Sequence, residues 1–342
     1  MTIKVGILGA TGYTGAELVR LLLRHGEAEI AAVGSNNFVG RRLSEIYPNL
    51  KGIFDMECVS QDAVIDCSDV IFACLPHGLS QEAASKCIAA GKVFIDLGAD
   101  FRLEDEAQYK EWYGGSFDDH VLHSEAVYAL PELFREQIAG KKLISCPGCY
   151  PTASELALFP AIKRGLVETD AIVIDAKSGV TGAGRDHKPF AECNEGMSAY
   201  KVAQHRHTPE IEQTLMKAAN KRIRLTFVPH LLPINRGVSC TCYARLKLGV
   251  TEERIREAYE DFYKDEYFIR LLVSGETANV KNVRMSNMCE ISLHIDRRTG
   301  MFIATSAIDN MIKGSVGQAV QNMNIVMGLD EKTGLDYIPP AF

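Results

Sequence analysis

Lys4-Val5-Gly6-Ile7-Leu8-Gly9-Ala10-Thr11-Gly12-Tyr13-Thr14-Gly15 is the stretch whose reading decides the fold. Residues 4–8 read as a short apolar strand, residues 9–15 as a glycine turn, and residues 16–25 as an amphipathic helix. In that order, the glycines let backbone approach a pyrophosphate at a helix N-terminus, which is dinucleotide binding. The spacing is G-x-x-G-x-x-G, a variant of the usual fingerprint. A turn that only packs a helix would use similar glycines. The position at the start of the chain favours the nucleotide.

The second strand, residues 29–33, runs into Gly34-Ser35-Asn36-Asn37. A free ribose 2′-hydroxyl usually meets Asp or Glu there. Neither is present, and Arg41 and Arg42 follow, so the cofactor is expected to be the 2′-phosphorylated form, NADP. A solvated surface pair is the competing reading of the two arginines. Strands at 70–74 and 93–97 flank a helix at 80–90. This alternation implies a parallel, doubly wound sheet with its ligand crevice at the strand C-termini. Pro76-His77-Gly78 lies at one such end and Arg102 near another. Arg102 is the better placed for an anion; His77 lines the cofactor site or is an incidental loop residue.

Leu143-Ile144-Ser145-Cys146-Pro147-Gly148-Cys149-Tyr150-Pro151-Thr152 reads as a buried strand, a Pro-Gly turn and a helix opening near Pro151. Cys149 then lies beside a helix N-terminus, where a thiol pKa falls and a thiolate becomes available as nucleophile. A buried structural thiol is the plainer alternative. Residues 171–177 form a strand that ends in a second glycine-rich loop, residues 178–185. There backbone amides and Arg185, with Lys188 following, suit an oxyanion. In His205-Arg206-His207-Thr208-Pro209-Glu210, Thr208 is the expected N-cap and Pro209 the first helical residue, with the helix over 210–219. His207 precedes that helix and is a candidate acid–base group. The two histidines have no matching pair to complete a metal site.

Longer strands at 223–228, 238–246, 288–295 and 301–307, with one main helix at 251–263 between them, indicate a largely antiparallel sheet. Residues 229–237 are expected to be a rigid polar connection. Residues 307–315 open a long helix reaching Met327, with Asn310 and Gly314 placed to approach the cofactor. The expected fold is a Rossmann-like α/β domain with a doubly wound parallel sheet, plus an α+β domain with a mainly antiparallel sheet.

At 342 residues the chain exceeds one ordinary core. A net charge of −7 argues against a nucleic-acid partner. No apolar run has the length of a membrane span, and the chain enters a strand at once, so neither membrane insertion nor a leader is expected. Ten scattered cysteines suggest a reducing compartment, the cytoplasm.

The Gly9/Gly12/Gly15 turn, Pro147-Gly148-Cys149-Tyr150-Pro151-Thr152, Ser178-Gly179-Val180-Thr181-Gly182-Ala183-Gly184-Arg185 and His205-Arg206-His207-Thr208-Pro209-Glu210 together resemble the N-acetyl-gamma-glutamyl-phosphate reductases. These enzymes of arginine biosynthesis are similar in fold and mechanism to aspartate-semialdehyde dehydrogenase. The resemblance covers essentially the whole chain. It implies NADPH-dependent reduction of an acyl phosphate to an aldehyde through a Cys149 thioester, with His207, preferred to the alternative His205 because it abuts the helix cap, as acid–base and Glu210 as an orienting or substrate group. It also implies cofactor contacts from Gly9, Thr11, Gly12, Tyr13, Thr14, Gly15, Ser35, Arg41, Pro76, Ser178, Gly179 and Asn310. Arg102, Arg185 and His205 are the implied substrate-binding residues. Residues 1–148, completed by 311–342, are then the NADP-binding domain; residues 149–310 are the catalytic and oligomerisation domain of a homo-oligomer. No metal is implied. Four rivals stand beside this reading: an aspartate-semialdehyde dehydrogenase-like reductase of another acyl phosphate, a Cys146/Cys149 dithiol, a zinc site drawing also on Cys240 and Cys242, and a non-catalytic NADP-binding sensor.

Overall fold

The computed structural model describes residues 2–185 and 190–341. The chain divides into two compact units, Met1–Pro147 with Ser315–Asp336, and Gly148–Gly314 with Tyr337–Phe342. The first unit runs β1 (Ile3–Leu8), α1 (Tyr13–Leu22), β2 (Ala28–Gly34), α2 (Leu43–Ile46), β3 (Cys58–Val59), α3 (Gln61–Cys67), β4 (Val70–Ala73) and α4 (Ser80–Ala89). It continues with β5 (Val93–Asp96), α5 (Glu106–Tyr113), α6 (His120–Glu125), β6 (Val127–Tyr128), α7 (Pro131–Ile138) and β7 (Leu143–Ser145). The seven strands lie in the order β3-β2-β1-β4-β5-β7-β6, every pair parallel. Helices on both faces bury such a sheet completely, which is why β4 is Val-Ile-Phe-Ala with no polar alternation. The order reverses between β1 and β4, where doubly wound folds bind nucleotides.

The second unit contains α8 (Cys149–Lys163), β8 (Ile172–Gly179), α9 (Phe190–Cys193), β9 (Ser198–Ala199), α10 (His207–Ala219), β10 (Leu225–Leu232) and β11 (Val238–Arg245). After these come α11 (Glu252–Tyr263), β12 (Ile269–Leu271), β13 (Cys289–Asp296) and β14 (Met301–Ile308); α12 (Gly317–Val326) then belongs to the first unit. The sheet order is β12-β13-β14-β11-β8-β10-β9, with β8·β10 and β12·β13 parallel and the other pairs antiparallel. Helix α8 packs on β11 and β14 and against α10 and α11, so it is buried almost all round. Pro160 inside it has no N–H for the carbonyl of Leu156. The Tyr263 hydroxyl donates to that carbonyl at 2.6 Å, so the proline leaves no orphan acceptor.

Several boundaries differ from the sequence reading, each for a physical reason. Helix α8 opens at Cys149, two residues before Pro151. A proline is tolerated in a first turn, because amides there have no intrahelical acceptor. Helix α1 begins at Tyr13 and takes in Gly15. Helix α10 starts at His207 rather than at residue 210, so Thr208 lies inside it and is not the cap. Strand β10 continues through Pro229 to Leu232, into the segment read as a connection. Its outer neighbour β9 pairs only at His230 and Leu231, and a strand that near an edge accepts proline. The long C-terminal helix is split: β14 reaches Ile308, and a wide π-type turn, Ile312–Val316, precedes α12.

Candidate active site

In the first unit, Gly9 and Gly15 are dictated by close packing. A Cβ on Gly9 would lie 2.3 Å from the Cys74 carbonyl oxygen, and one on Gly15 would lie 2.5 Å from Ala10 Cα. A Cβ on Gly12 would meet nothing nearer than 3.5 Å. The fold does not demand that glycine, but a ligand lying against the turn would. Thr11 Oγ1 and Ser35 Oγ are 3.0 Å apart, joining the turn to the end of β2, and Tyr47 Oη donates to the Thr11 carbonyl at 3.0 Å. Tyr13 and Thr14 are the first residues of α1, at the same N-terminus. A cradle of small residues before a helix start, with hydroxyls at the next strand end, fits a dinucleotide.

Arg41 follows this strand end and pairs with Glu45 at 3.0 Å; Arg42 pairs with Asp55 at 2.8 Å. All four side chains are largely exposed, so these pairs are weak competitors for a phosphate. Pro76 follows β4. Beside it, the buried Asp100 accepts from the amides of Gly78 (2.7 Å) and Ser80 (2.8 Å), and His77 Nδ1 lies 2.8 Å from it. His77 thus belongs to a clamp on the loop that enters α4. Arg102 is buried: its Nε donates to the Cys146 carbonyl at 2.9 Å and one Nη to the Leu97 carbonyl at 3.1 Å. It ties the end of β5 to the end of β7 from inside the unit.

In the second unit Cys149 is the first residue of α8, partly exposed, and Gly148 is its extended N-cap (φ −70°, ψ 162°). The Gly148 amide donates to Oε1 of the fully buried Glu210 at 2.8 Å. A Cβ on Gly314, inside the π-type turn, would lie 2.7 Å from Cys149 Cβ. The nucleophile candidate is therefore held from two sides, by a carboxylate on the preceding amide and by backbone against its own Cβ. First-turn amides lack intrahelical acceptors, so the helix start also offers donors to an oxyanion.

His207 is the first residue of α10, its ring 5.9 Å from Tyr150 and 4.7 Å from His205. His205 Nδ1 accepts from the His207 amide at 3.2 Å, and its Nε2 lies 3.5 Å from Tyr200 Oη. Burial first, then Lys201 and Arg206, push its pKa down to about 4. Tyr200 was not marked by any local pattern. Only the spatial neighbourhood of Tyr150 and His205 reveals it.

Asn310 is buried and committed within its own unit: Oδ1 accepts from the Gly237 amide at 2.6 Å, and Nδ2 donates to Thr181 Oγ1 at 3.0 Å. Ser178 Oγ donates to the Gly179 carbonyl, and the Asn235 backbone packs against Gly179. These contacts fix the base of the loop that ends at the exposed Arg185. Lys188 lies outside the described residues.

Of the rival arrangements, the dithiol is disfavoured by Cys146. That thiol is buried at the end of β7 with Asn322 Nδ2 at 3.7 Å, and burial pushes its pKa up to about 12. Cys240 and Cys242 are buried on one face of β11, as alternation requires. Among the described residues no group of three or more His, Cys, Asp or Glu side chains is placed to hold a metal ion, and no helix is long and apolar enough to cross a membrane.

Comparison with known proteins follows the same division. Residues 4–141 match the family model described as semialdehyde dehydrogenase, NAD binding domain, and residues 149–310 the one described as semialdehyde dehydrogenase, dimerisation domain. Aspartate semialdehyde dehydrogenase II from Vibrio cholerae is similar in fold, with a TM-score of 0.73 at 16% identity over 96% of this chain and 99% of that one. The enzyme from Candida albicans, solved with NADP, gives 0.71 at 16% identity over 95% and 98%. Fold and matched domains define an oxidoreductase of the semialdehyde dehydrogenase class. Relatives named N-acetyl-gamma-glutamyl-phosphate reductase are 50% identical in Brachyspira hyodysenteriae and 51% identical in Clostridium botulinum, each over 99% of this chain and 100% of theirs. The chain belongs to the N-acetyl-gamma-glutamyl-phosphate reductase family.

Proposed function

We propose that this protein reduces N-acetyl-gamma-glutamyl phosphate to N-acetylglutamate 5-semialdehyde with NADPH, releasing phosphate, as a step of arginine biosynthesis. The observation that carries the reading is Cys149 at the first position of α8, its turn clamped by Glu210. In this reading the Cys149 thiolate attacks the acyl carbon and phosphate leaves, giving a thioester in place of one hard displacement. NADPH, when bound, supplies the hydride that reduces the thioester carbonyl. The resulting thiohemiacetal loses its hydroxyl proton and expels the thiolate as the aldehyde forms. His207 handles that proton, and α8 first-turn amides stabilise the oxyanion at both tetrahedral stages. Gly9, Thr11, Gly12, Tyr13, Thr14, Gly15 and Ser35 would hold the cofactor, with Arg41 on its 2′-phosphate and Pro76 at the neighbouring strand end. Arg185 is the cation assigned to the substrate's anionic groups. Arg102 is assigned instead to the turn before Gly148.

We further infer a homo-oligomer assembled through the second unit, as the name of the matched model suggests, and a cytoplasmic location, in keeping with ten free cysteines. The direct test is a substrate panel in the reverse direction. Phosphate-dependent NADP reduction should be efficient with N-acetylglutamate semialdehyde and poor with aspartate semialdehyde. Preference for the latter, or turnover without phosphate, defeats the proposal.

A further inference from the structure

Four hydrogen-bonding contacts in the second unit form one chain. The His207 amide meets His205 Nδ1 at 3.2 Å, and His205 Nε2 meets Tyr200 Oη at 3.5 Å. Tyr200 Oη in turn meets Tyr150 Oη at 3.3 Å, and Tyr150 Oη meets the His230 carbonyl at 3.0 Å. Its two ends fix the direction of everything between them. An amide can only donate and a carbonyl can only accept. His205 Nδ1 therefore carries the lone pair, and a neutral ring must carry its proton on Nε2. Tyr200 accepts that proton's hydrogen bond and donates its own to Tyr150, which donates to His230. Reversing any one link would set two donors, or two acceptors, against each other.

The surroundings of the His205 ring agree. Tyr150, Tyr200 and Phe227 stand nearly edge-on around it, with centroids at 5.6, 5.5 and 5.4 Å. Lys201 and Arg206 add positive charge nearby, and burial is the largest influence; all three disfavour a protonated ring. Both ring nitrogens are already committed, one to the helix start and one to a tyrosine.

We propose that His205 is a positioning residue, held as the neutral Nε2–H tautomer, which caps α10 and so fixes His207 while the same chain locks Tyr150 beside Cys149. This deepens the proposed function and rests on it for the roles of His207 and Cys149. It departs from the substrate-binding role that the family resemblance suggests for His205. The amide it takes is that of His207, the first residue of α10 and one of the first-turn amides that have no intrahelical acceptor.

The test has two arms on the full-length protein. Nitrogen-15 NMR of histidine-labelled protein should show the His205 ring as the Nε2–H tautomer, without titrating across about pH 6–8. In turnover assays, His205→Asn places an acceptor where Nδ1 stands, whereas His205→Gln reaches toward Nε2 and leaves the amide uncapped. The asparagine variant should therefore retain about tenfold more kcat than the glutamine variant, with little change of substrate KM in either. Tyr200→Phe should raise the fraction of His205 in other protonation states without abolishing substrate binding. An Nδ1–H tautomer, titration near neutrality, or a substrate KM that rises steeply in His205→Asn while kcat is kept would each overturn the proposal. Should the wild-type protein fail to reduce the acyl phosphate, the proposed function falls, and the NMR arm alone still decides the tautomer and the cap.

Discussion

The amide of Gly148 donates at 2.8 Å to the buried carboxylate of Glu210, 62 positions further along the chain. The contact fixes the residue immediately before Cys149, so it acts on where the thiol points. Glu210→Ala removes the acceptor and leaves a buried amide unsatisfied, at a cost of about 1–3 kcal/mol. Turnover is expected to fall by about 10²-fold, the usual effect of a displaced reacting group. Glu210→Gln keeps an oxygen at the same reach and should be milder. Denaturation midpoints and initial rates on both variants check this. Wild-type turnover in Glu210→Ala would show that the contact does not position the nucleophile.

Cys149→Ser should abolish turnover while leaving NADPH affinity and thermal stability close to wild type, since the change is nearly isosteric. Cys146→Ser should retain substantial activity, because that thiol is buried, held neutral by burial, and belongs to β7. Equal loss in the two variants would restore the dithiol reading.

The parts legible in the sequence were those written locally. Gly9 to Gly15 follow an apolar strand directly, and Pro147-Gly148 punctuates strand and helix around Cys149, so the fold class and the placing of Cys149 at a helix start could both be read from neighbours in the chain. The Gly148–Glu210 bond, the Gly314–Cys149 contact and the Thr11–Ser35 pair join residues far apart, and no periodicity encodes them. Helix α10 starts at His207, ahead of the Thr208 that capping rules favour, because the His205 ring takes the His207 amide and the His205 carbonyl takes the Thr208 amide. The bonds that hold the Asn310 side chain to Gly237 and Thr181 are likewise long-range and have no local signature.

Gly314 has no room for a side chain: a Cβ there would lie 2.7 Å from Cys149 Cβ and 3.1 Å from its Cα. Gly314→Ala must therefore shift either the π-type turn or Cys149. Turnover should drop by at least about tenfold, with slower alkylation of Cys149 by iodoacetamide and NADPH binding retained. Alkylation and turnover both at wild-type levels would mean that the turn yields without cost.

Arg41 and Arg42 follow the end of β2, where no acidic residue awaits a ribose hydroxyl. NADPH should be clearly preferred to NADH. Replacing both arginines with alanine should weaken NADPH more than NADH, because only NADPH carries the additional phosphate. Their present ion pairs are exposed, so losing them should move stability little. Comparable catalytic efficiency with both cofactors in the wild type would refute the assignment.

The capping role of His205 also has a signature in acid stability. Its pKa is lowered from 6.5 to about 4 in the fold, so the folded state prefers the neutral ring. The corresponding stability is fully present above about pH 6.5 and is lost as pH falls through the folded value near 4. His25 and His123 are also lowered by burial and act in the same direction. Asp96 acts oppositely: burial raises it from 3.8 to about 6, so its protonation favours the fold as pH falls across that interval. The total profile mixes these groups, but a comparison with His205→Asn isolates one of them, since asparagine caps without titrating. Wild type should lose stability relative to the variant between about pH 6.5 and pH 4, and the two curves should run parallel above that range. Urea midpoints measured for both proteins across the interval check it. Curves that stay parallel down to pH 4 would mean that His205 carries the same proton folded and unfolded, and the neutral cap would have to be abandoned.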